Sequence, residues 1–127
     1  MLTDNLLKSA RDLSAGIVSL RRAIHAEPEL GLQTPKTMAK VREALADLPL
    51  TWRSGGNTSG QVATLEGAKP GKRVLLRGDM DALPMAEKTD LDFASKIEGR
   101  MHACGHDTHT AMLAGAARLL CAKRETF

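Results

Sequence analysis

From Leu6 onward, apolar side chains recur at Ala10, Leu13, Ile17, Leu20 and Ile24, in steps of three and four. That period lines them along one stripe of an α-helix of about five turns. The helix is predicted to stop near His25. Glu27-Pro28 disfavours helical geometry beyond it, and Arg21, Arg22 and His25 place positive charge where a helix dipole is negative. The repeat lasts barely three heptads, which favours packing on a sheet over a coiled coil. Thr34-Pro35 reads as the cap and first residue of a second helix, with Met38, Val41, Ala44 and Leu45 on its buried side and Leu48-Pro49 closing it.

The period then becomes extended. Leu50 to Arg53 is a short strand candidate, Ser54 to Gly60 a glycine-rich loop, and Gln61 to Leu65 an alternating, half-buried strand. After a turn over Ala68 to Lys72, the compact apolar run Arg73-Val-Leu-Leu-Arg77 suits a strand covered on both faces. Leu83 to Arg100 carries no period. Thr110 to Arg124 is predicted as the last helix, with Met112, Leu113, Ala116, Ala117, Leu119 and Leu120 on its apolar side and Asp107 or Thr108 as its cap. This order of helices, strands and helix indicates an α/β fold in one domain, without internal repeat or boundary.

Composition narrows the functional classes. A chain of 127 residues with 43% hydrophobic and 26% charged positions is not disordered and is long enough for a core. It contains no run of about 18 apolar residues to cross a membrane. Residues 1–5 lack a basic leader and the two cysteines cannot form a disulfide framework, so a cytoplasmic location is expected. The net charge of +3 comes from 18 Lys and Arg spread in ones and twos among 15 acids. With only Trp52, Phe93 and Phe127 as aromatics, far apart, no stacking platform for nucleic acid is expected.

The chemistry concentrates in Met101-His-Ala-Cys-Gly-His-Asp-Thr-His-Thr110, where one thiol, three imidazoles and a carboxylate precede a helix. Thiolate, neutral imidazole and carboxylate are the ligands of zinc and its first-row neighbours. Gly105 allows a tight turn that aims Cys104 and His106 into one volume, and the helix N-terminus favours the thiolate. Taken singly, His102 would be a loop residue, His109 a first-turn residue and Cys104 a buried filler; clustered within eight positions, they point to a metal. Asp79 and Asp81 follow the most hydrophobic strand candidate and, two apart in an extended segment, face the same way. They can ligate a metal or orient a ligand histidine, or simply form a turn. His25 reads as a helix-terminal histidine and Cys121 as a buried thiol.

Arg21-Arg-Ala-Ile-His25 with Pro28-Glu-Leu-Gly31, then Val74-Leu-Leu-Arg-Gly-Asp-Met-Asp-Ala-Leu-Pro84, then Met101-His-Ala-Cys-Gly-His-Asp107 with His109, closely resemble the metal-dependent amidohydrolases that include hippurate hydrolase, N-acyl-amino-acid aminoacylases and indoleacetyl-amino-acid hydrolases. The resemblance extends over essentially the whole chain. It implies an incomplete three-layer, zinc-exopeptidase-like α/β catalytic domain, a mixed sheet flanked by helices. Residues 1–127 would form its N-terminal part, with the lid or dimerisation domain and the rest of the catalytic domain outside this sequence.

Carried over by position, the resemblance makes Cys104 and His106 metal ligands and Asp81 a supporting catalytic residue. Asp79, His102, Asp107 and His109 become supporting groups around the metal. Thr34 stands where family members commonly place an acid. The implied cofactor is a pair of divalent ions, zinc, manganese, cobalt or nickel. The implied substrate is a small N-acyl amino acid, and the full-length protein is expected to be a homodimer. The family's general-base glutamate is expected outside these residues, so this chain alone is expected to bind zinc weakly, to lack turnover and to expose faces that promote association. A non-catalytic metal-binding or structural module derived from the family is the alternative.

Overall fold

A computed structural model describes residues 2–127, with side chains from Asn5 onward. Met1, part of the segment read as lacking a basic leader, lies outside the described residues. The predicted first helix is two helices, α1 (Leu2–Asp12) and α2 (Ser14–Ala26), which meet at Leu13. The main-chain bonds Leu13 N to Ser9 O and Ile17 N to Leu13 O close the two helices on Leu13, a turn residue at which the helical ladder is interrupted. Such a break is invisible to periodicity, because residues on both sides keep the same spacing.

Helix α3 (Pro35–Ala44) begins at the predicted proline, but its cap comes from elsewhere. Thr34 makes no side-chain cap bond; instead the Glu29 carboxylate accepts from the Lys36 and Thr37 amides at 3.1 and 2.7 Å and from the Thr37 hydroxyl at 2.8 Å. An acid at a helix N-terminus satisfies free amides and opposes the dipole. It also ties the loop after α2 to α3.

Met38, Val41 and Leu45 of the α3 region and Ala114 of α4 (His106–Lys123) form the core, with Leu20, Leu48, Leu50, Trp52, Met80 and Ala117 around them. Helices α2 and α4 lie close together: a Cβ on Gly115 would fall 2.5 Å from the end of the Ile17 side chain, which would have to shift to admit it. Strands β1 (Thr51–Ser54) and β2 (Gln61–Thr64) pair antiparallel, with Trp52 opposite Ala63. Elsewhere the sheet is represented by two isolated bridges, Leu30 with Ala82 in parallel and Leu83 with Met101 in antiparallel sense.

The covered strand predicted at 73–77 is not realised. Val74, Leu75 and Leu76 are 79%, 81% and 50% exposed, and the segment joins no strand among the described residues. An apolar run indicates a preference for burial, but a strand exists only where neighbouring backbone supplies its hydrogen bonds. No helix among the described residues is long and apolar enough to cross a membrane.

Candidate metal centre at the start of α4

Helix α4 starts at His106, four positions before the predicted Thr110. Its N-cap is Gly105 at φ 94°, a left-handed conformation that glycine adopts without the cost of about 1 kcal/mol or more borne by other residues. The Gly105 carbonyl accepts from the Thr108 and His109 amides at 3.0 and 3.1 Å. Neither Asp107 nor Thr108 is the cap, as the sequence pattern had suggested; both lie inside the first turn. That early start puts His106 and His109, three apart, on one side of the turn. Thr110 donates its hydroxyl to the Asp79 carbonyl at 2.7 Å, fastening the 79–81 segment to the helix.

On this side His109 Nδ1 donates to Asp79 Oδ1 at 2.7 Å. His106 Nδ1 donates to both the carbonyl and Oδ1 of Asp81 at 2.9 Å. With its proton held on Nδ1, the His106 ring presents an Nε2 lone pair, the state required of a metal ligand. That nitrogen lies 3.5 Å from Asp79 Oδ2. Bonds of about 2.1 Å at a tetrahedral ion space two ligand atoms about 3.4 Å apart, so the pair fits a single divalent cation. Ligand atoms of Asp79, His106 and His109 all lie within 4.8 Å of one another. The hydrogen bond from His109 holds the Asp79 carboxyl below the usual aspartate range, against the opposing effect of partial burial.

On the other side of the turn, Asp107 is fully buried. Its Oδ2 lies 2.7 Å from both Arg21 Nε and His25 Nδ1. The second nitrogen of His25 bonds Glu87, whose other oxygen accepts from the Ser95 amide at 2.5 Å. Each ring nitrogen of His25 thus faces a carboxylate, and the ring links Asp107 to Glu87. Burial works to raise the Glu87 carboxyl, yet the bonds from His25 and Ser95 outweigh it and hold the group below the usual glutamate range. Phe93 closes the cluster, its ring 5.4 Å edge-on from His25 and under the guanidinium groups of Arg21 and Arg22.

The structure thus gathers Asp79, Asp81, His106 and His109 in an open corner, and places Asp107 in a dry one. Cys104 is exposed and stands outside the three-residue group, one residue before the turn at Gly105. It is not the buried filler that a cysteine in isolation suggests. His102 is buried and neither ring nitrogen has a hydrogen-bond partner among the described residues. Burial pushes its pKa below the ordinary value, against the pull of Asp107. Cys121 is the buried thiol expected, and burial raises its pKa. His25 is more than a helix-terminal residue: it joins α2 to α4 and to the irregular segment carrying Glu87. Arg21 and Glu87 were not visible as site residues. Arg21 resembles any basic residue in a last helical turn, and Glu87 lies where the sequence has no period.

Residues 75–127 match the profile of peptidase family M20/M25/M40. The chain is 46% identical to thermostable carboxypeptidase 1 of Saccharolobus solfataricus, over 98% of its own length and 32% of that protein. It is 39% identical to the N-acyl-L-amino acid amidohydrolase of Geobacillus stearothermophilus, over 98% of this chain and 34% of the relative. Among solved structures it superposes on the Bacillus subtilis YXEP protein, a dinuclear metal-binding peptidase of the M20 family, with a TM-score of 0.83 and 37% identity over 90% of this chain and 32% of the other. The chain therefore spans about a third of the length of the relatives it matches. These motifs, the shared backbone and the ligand-capable corner at the head of α4 make it, over that span, a member of the metal-dependent amidohydrolase and peptidase family M20/M25/M40.

Proposed function

We propose that the chain is the N-terminal, metal-holding part of an amidohydrolase that cleaves the amide joining an acyl group to an amino acid. The observation that carries this is the 3.5 Å spacing of His106 Nε2 and Asp79 Oδ2, with the opposite nitrogen of His106 tied to Asp81. In this reading His106 and the Cys104 thiolate are metal ligands, and Asp79 completes the near side of the centre. Asp81 sets the tautomer of His106, and His109 orients Asp79. Asp107 positions the first turn, and His102 lies behind it. A divalent ion there, zinc, manganese, cobalt or nickel, supplies Lewis acidity toward an amide carbonyl and acidifies water.

The Geobacillus relative's name specifies an N-acyl-L-amino acid substrate, which supports the same class here. Glu29 caps α3 and Glu87 is bonded to His25, and the ligand-capable group among the described residues contains no glutamate. In this reading the general base, further metal ligands, a lid and a dimer contact belong to residues outside these 127. A cytoplasmic setting keeps the exposed Cys104 reduced.

Calorimetric titration of the purified chain with zinc and manganese, beside assays on hippurate and N-acetyl-methionine, tests this. Weak zinc binding that is lost in Cys104→Ala and His106→Ala, without turnover, is expected. Metal content unchanged in the double variant would refute the metal assignment, and turnover by the chain alone would refute the assignment of the base to other residues.

A further inference from the structure

Helices α2 and α4 run antiparallel, since Ile17 meets Gly115 while Arg21 and His25 meet Asp107. Along one side of the pair lies a groove of about 270 Å³. Val18 and Arg22 line it from α2, Met112 and Thr108 from α4; each pair is spaced i, i+4 and so shares one helix face. The antiparallel order sorts the groove by polarity. Val18 and Met112 stand at one end, 46% and 54% exposed, with Ile17 and the buried Ala111 beside them. Arg22 and Thr108 stand at the other, at the N-terminal end of α4, where the helix dipole and free amides favour an anion.

Arg21 and Arg22 are adjacent but differently committed. Arg21 Nε lies 2.7 Å from the buried Asp107 carboxylate. Arg22 is exposed, sits 4.7 Å from the centroid of the Phe93 ring, and makes no ion pair among the described residues. A ring face holds a guanidinium in place without neutralising it. No acid lines the groove.

Charge and size select the occupant. A second copy of the chain, packed through the same face, would bring another unneutralised Arg22 and another α4 N-terminus to a surface that already carries both. The volume lies just under the roughly 300–1,000 Å³ of small-molecule sites, which suits a short chain molecule better than a helix. A neutral apolar molecule would cover Val18 and Met112 and leave the cation unanswered; a molecule with an apolar tail and one acid group answers both ends.

We propose that the groove between α2 and α4 binds an apolar monocarboxylic acid about the size of octanoate, its tail between Val18 and Met112 and its carboxylate on Arg22, with the Thr108 hydroxyl as a second donor. The site is separate from the metal corner, because none of Asp79, Cys104, His106 and His109 lines it. It requires neither a bound metal nor hydrolysis, so it stands or falls independently of the proposed function.

The test titrates the full, metal-free chain, carrying 13C at its methionine methyl groups, with sodium octanoate. Met112 reports on the groove, while Met38 in the core and the exposed Met85 serve as references. The Met112 signal is expected to shift saturably and the references to stay in place. Octan-1-ol, the tail without the charge, and acetate, the charge without the tail, should each bind at least about fivefold more weakly. Arg22→Gln should weaken octanoate at least about fivefold, and Arg22→Lys, which keeps the charge, should recover most of that loss. Val18→Asp should weaken it at least about tenfold. Arg22 and Val18 are exposed, so the thermal midpoint of the free chain should not move in these variants. An unmoved Met112, equal affinity for octanoate and octan-1-ol, or indifference to Arg22→Gln would overturn the proposal. So would a Met112 signal that shifts when the chain alone is diluted, which would put a second copy in the groove.

Discussion

Two histidine and carboxylate clusters flank the first turn of α4, built from neighbouring residues and behaving differently. His106 and Asp79, with His109 and Asp81, form an open corner where one imidazole nitrogen is held by an acceptor and the other is available. Asp107, one position along, is enclosed with His25, Glu87 and Arg21, and both nitrogens of His25 face a carboxylate. Burial and partner count separate the two, not residue type. Where both nitrogens of a ring face carboxylates and water is excluded, histidine and aspartate fix the geometry; where a lone pair is left facing solvent, the same residues can take a cation. The dry cluster serves the wet one, since it clamps α2 and residues 87–95 onto the turn that presents His106.

The largest expected effect tests the dry side. Asp107→Ala leaves Arg21 and His25 without their shared acceptor and should cost roughly 3 kcal/mol in urea unfolding; a cost under about 1 kcal/mol would remove the distinction between the clusters. His106→Ala should do the reverse. Zinc affinity by calorimetry is expected to fall at least about tenfold while stability changes by less than about 1 kcal/mol.

The third expectation concerns acid. The folded pKa of Glu87 lies below the ordinary glutamate value, so the unfolded chain takes up the proton first as pH falls. Its stabilisation is present above about pH 4.3 and is lost as pH drops below that toward the lower folded value. Glu87→Gln should therefore be less stable at neutral pH and should flatten stability against pH in the carboxylate range; an unchanged slope would place the acid sensitivity elsewhere. The smallest effect belongs to the hinge between the clusters. Gly105→Ala meets no atom within 4 Å, yet must hold φ 94°, and should cost about 1 kcal/mol with a parallel loss of zinc affinity. Loss of stability without loss of affinity would separate the turn from the metal corner.

Much of the helical framework was legible. The spacing of Ala10, Leu13, Ile17, Leu20 and Ile24 and the Thr34-Pro35 signal located α2 and α3, because helix period and proline geometry are local properties. Leu13 shows the limit: a break between helices that keeps the residue spacing leaves no mark in a hydrophobic pattern. The window from His102 to His109 was legible as a cluster, but not its partition, since the sequence places His106 and Asp107 side by side and only the depth of each in the fold sends one to solvent and the other to the interior. Glu87 and the capping role of Glu29 were not readable, because each acts on a partner distant in sequence or across a loop whose path has no period.

By itself the sequence determined the α/β order, the family, the turn at Gly105 and the gathering of metal-capable side chains around the start of the last helix. These depend on neighbours within a few residues. The tertiary structure alone decided that His25 would be buried between two acids, that Asp79 would stand 3.5 Å from His106, and that Val74 to Leu76 would lie open. Those outcomes depend on which distant groups arrive to exclude water or supply hydrogen bonds, and for the 73–77 segment no such group is present among the described residues.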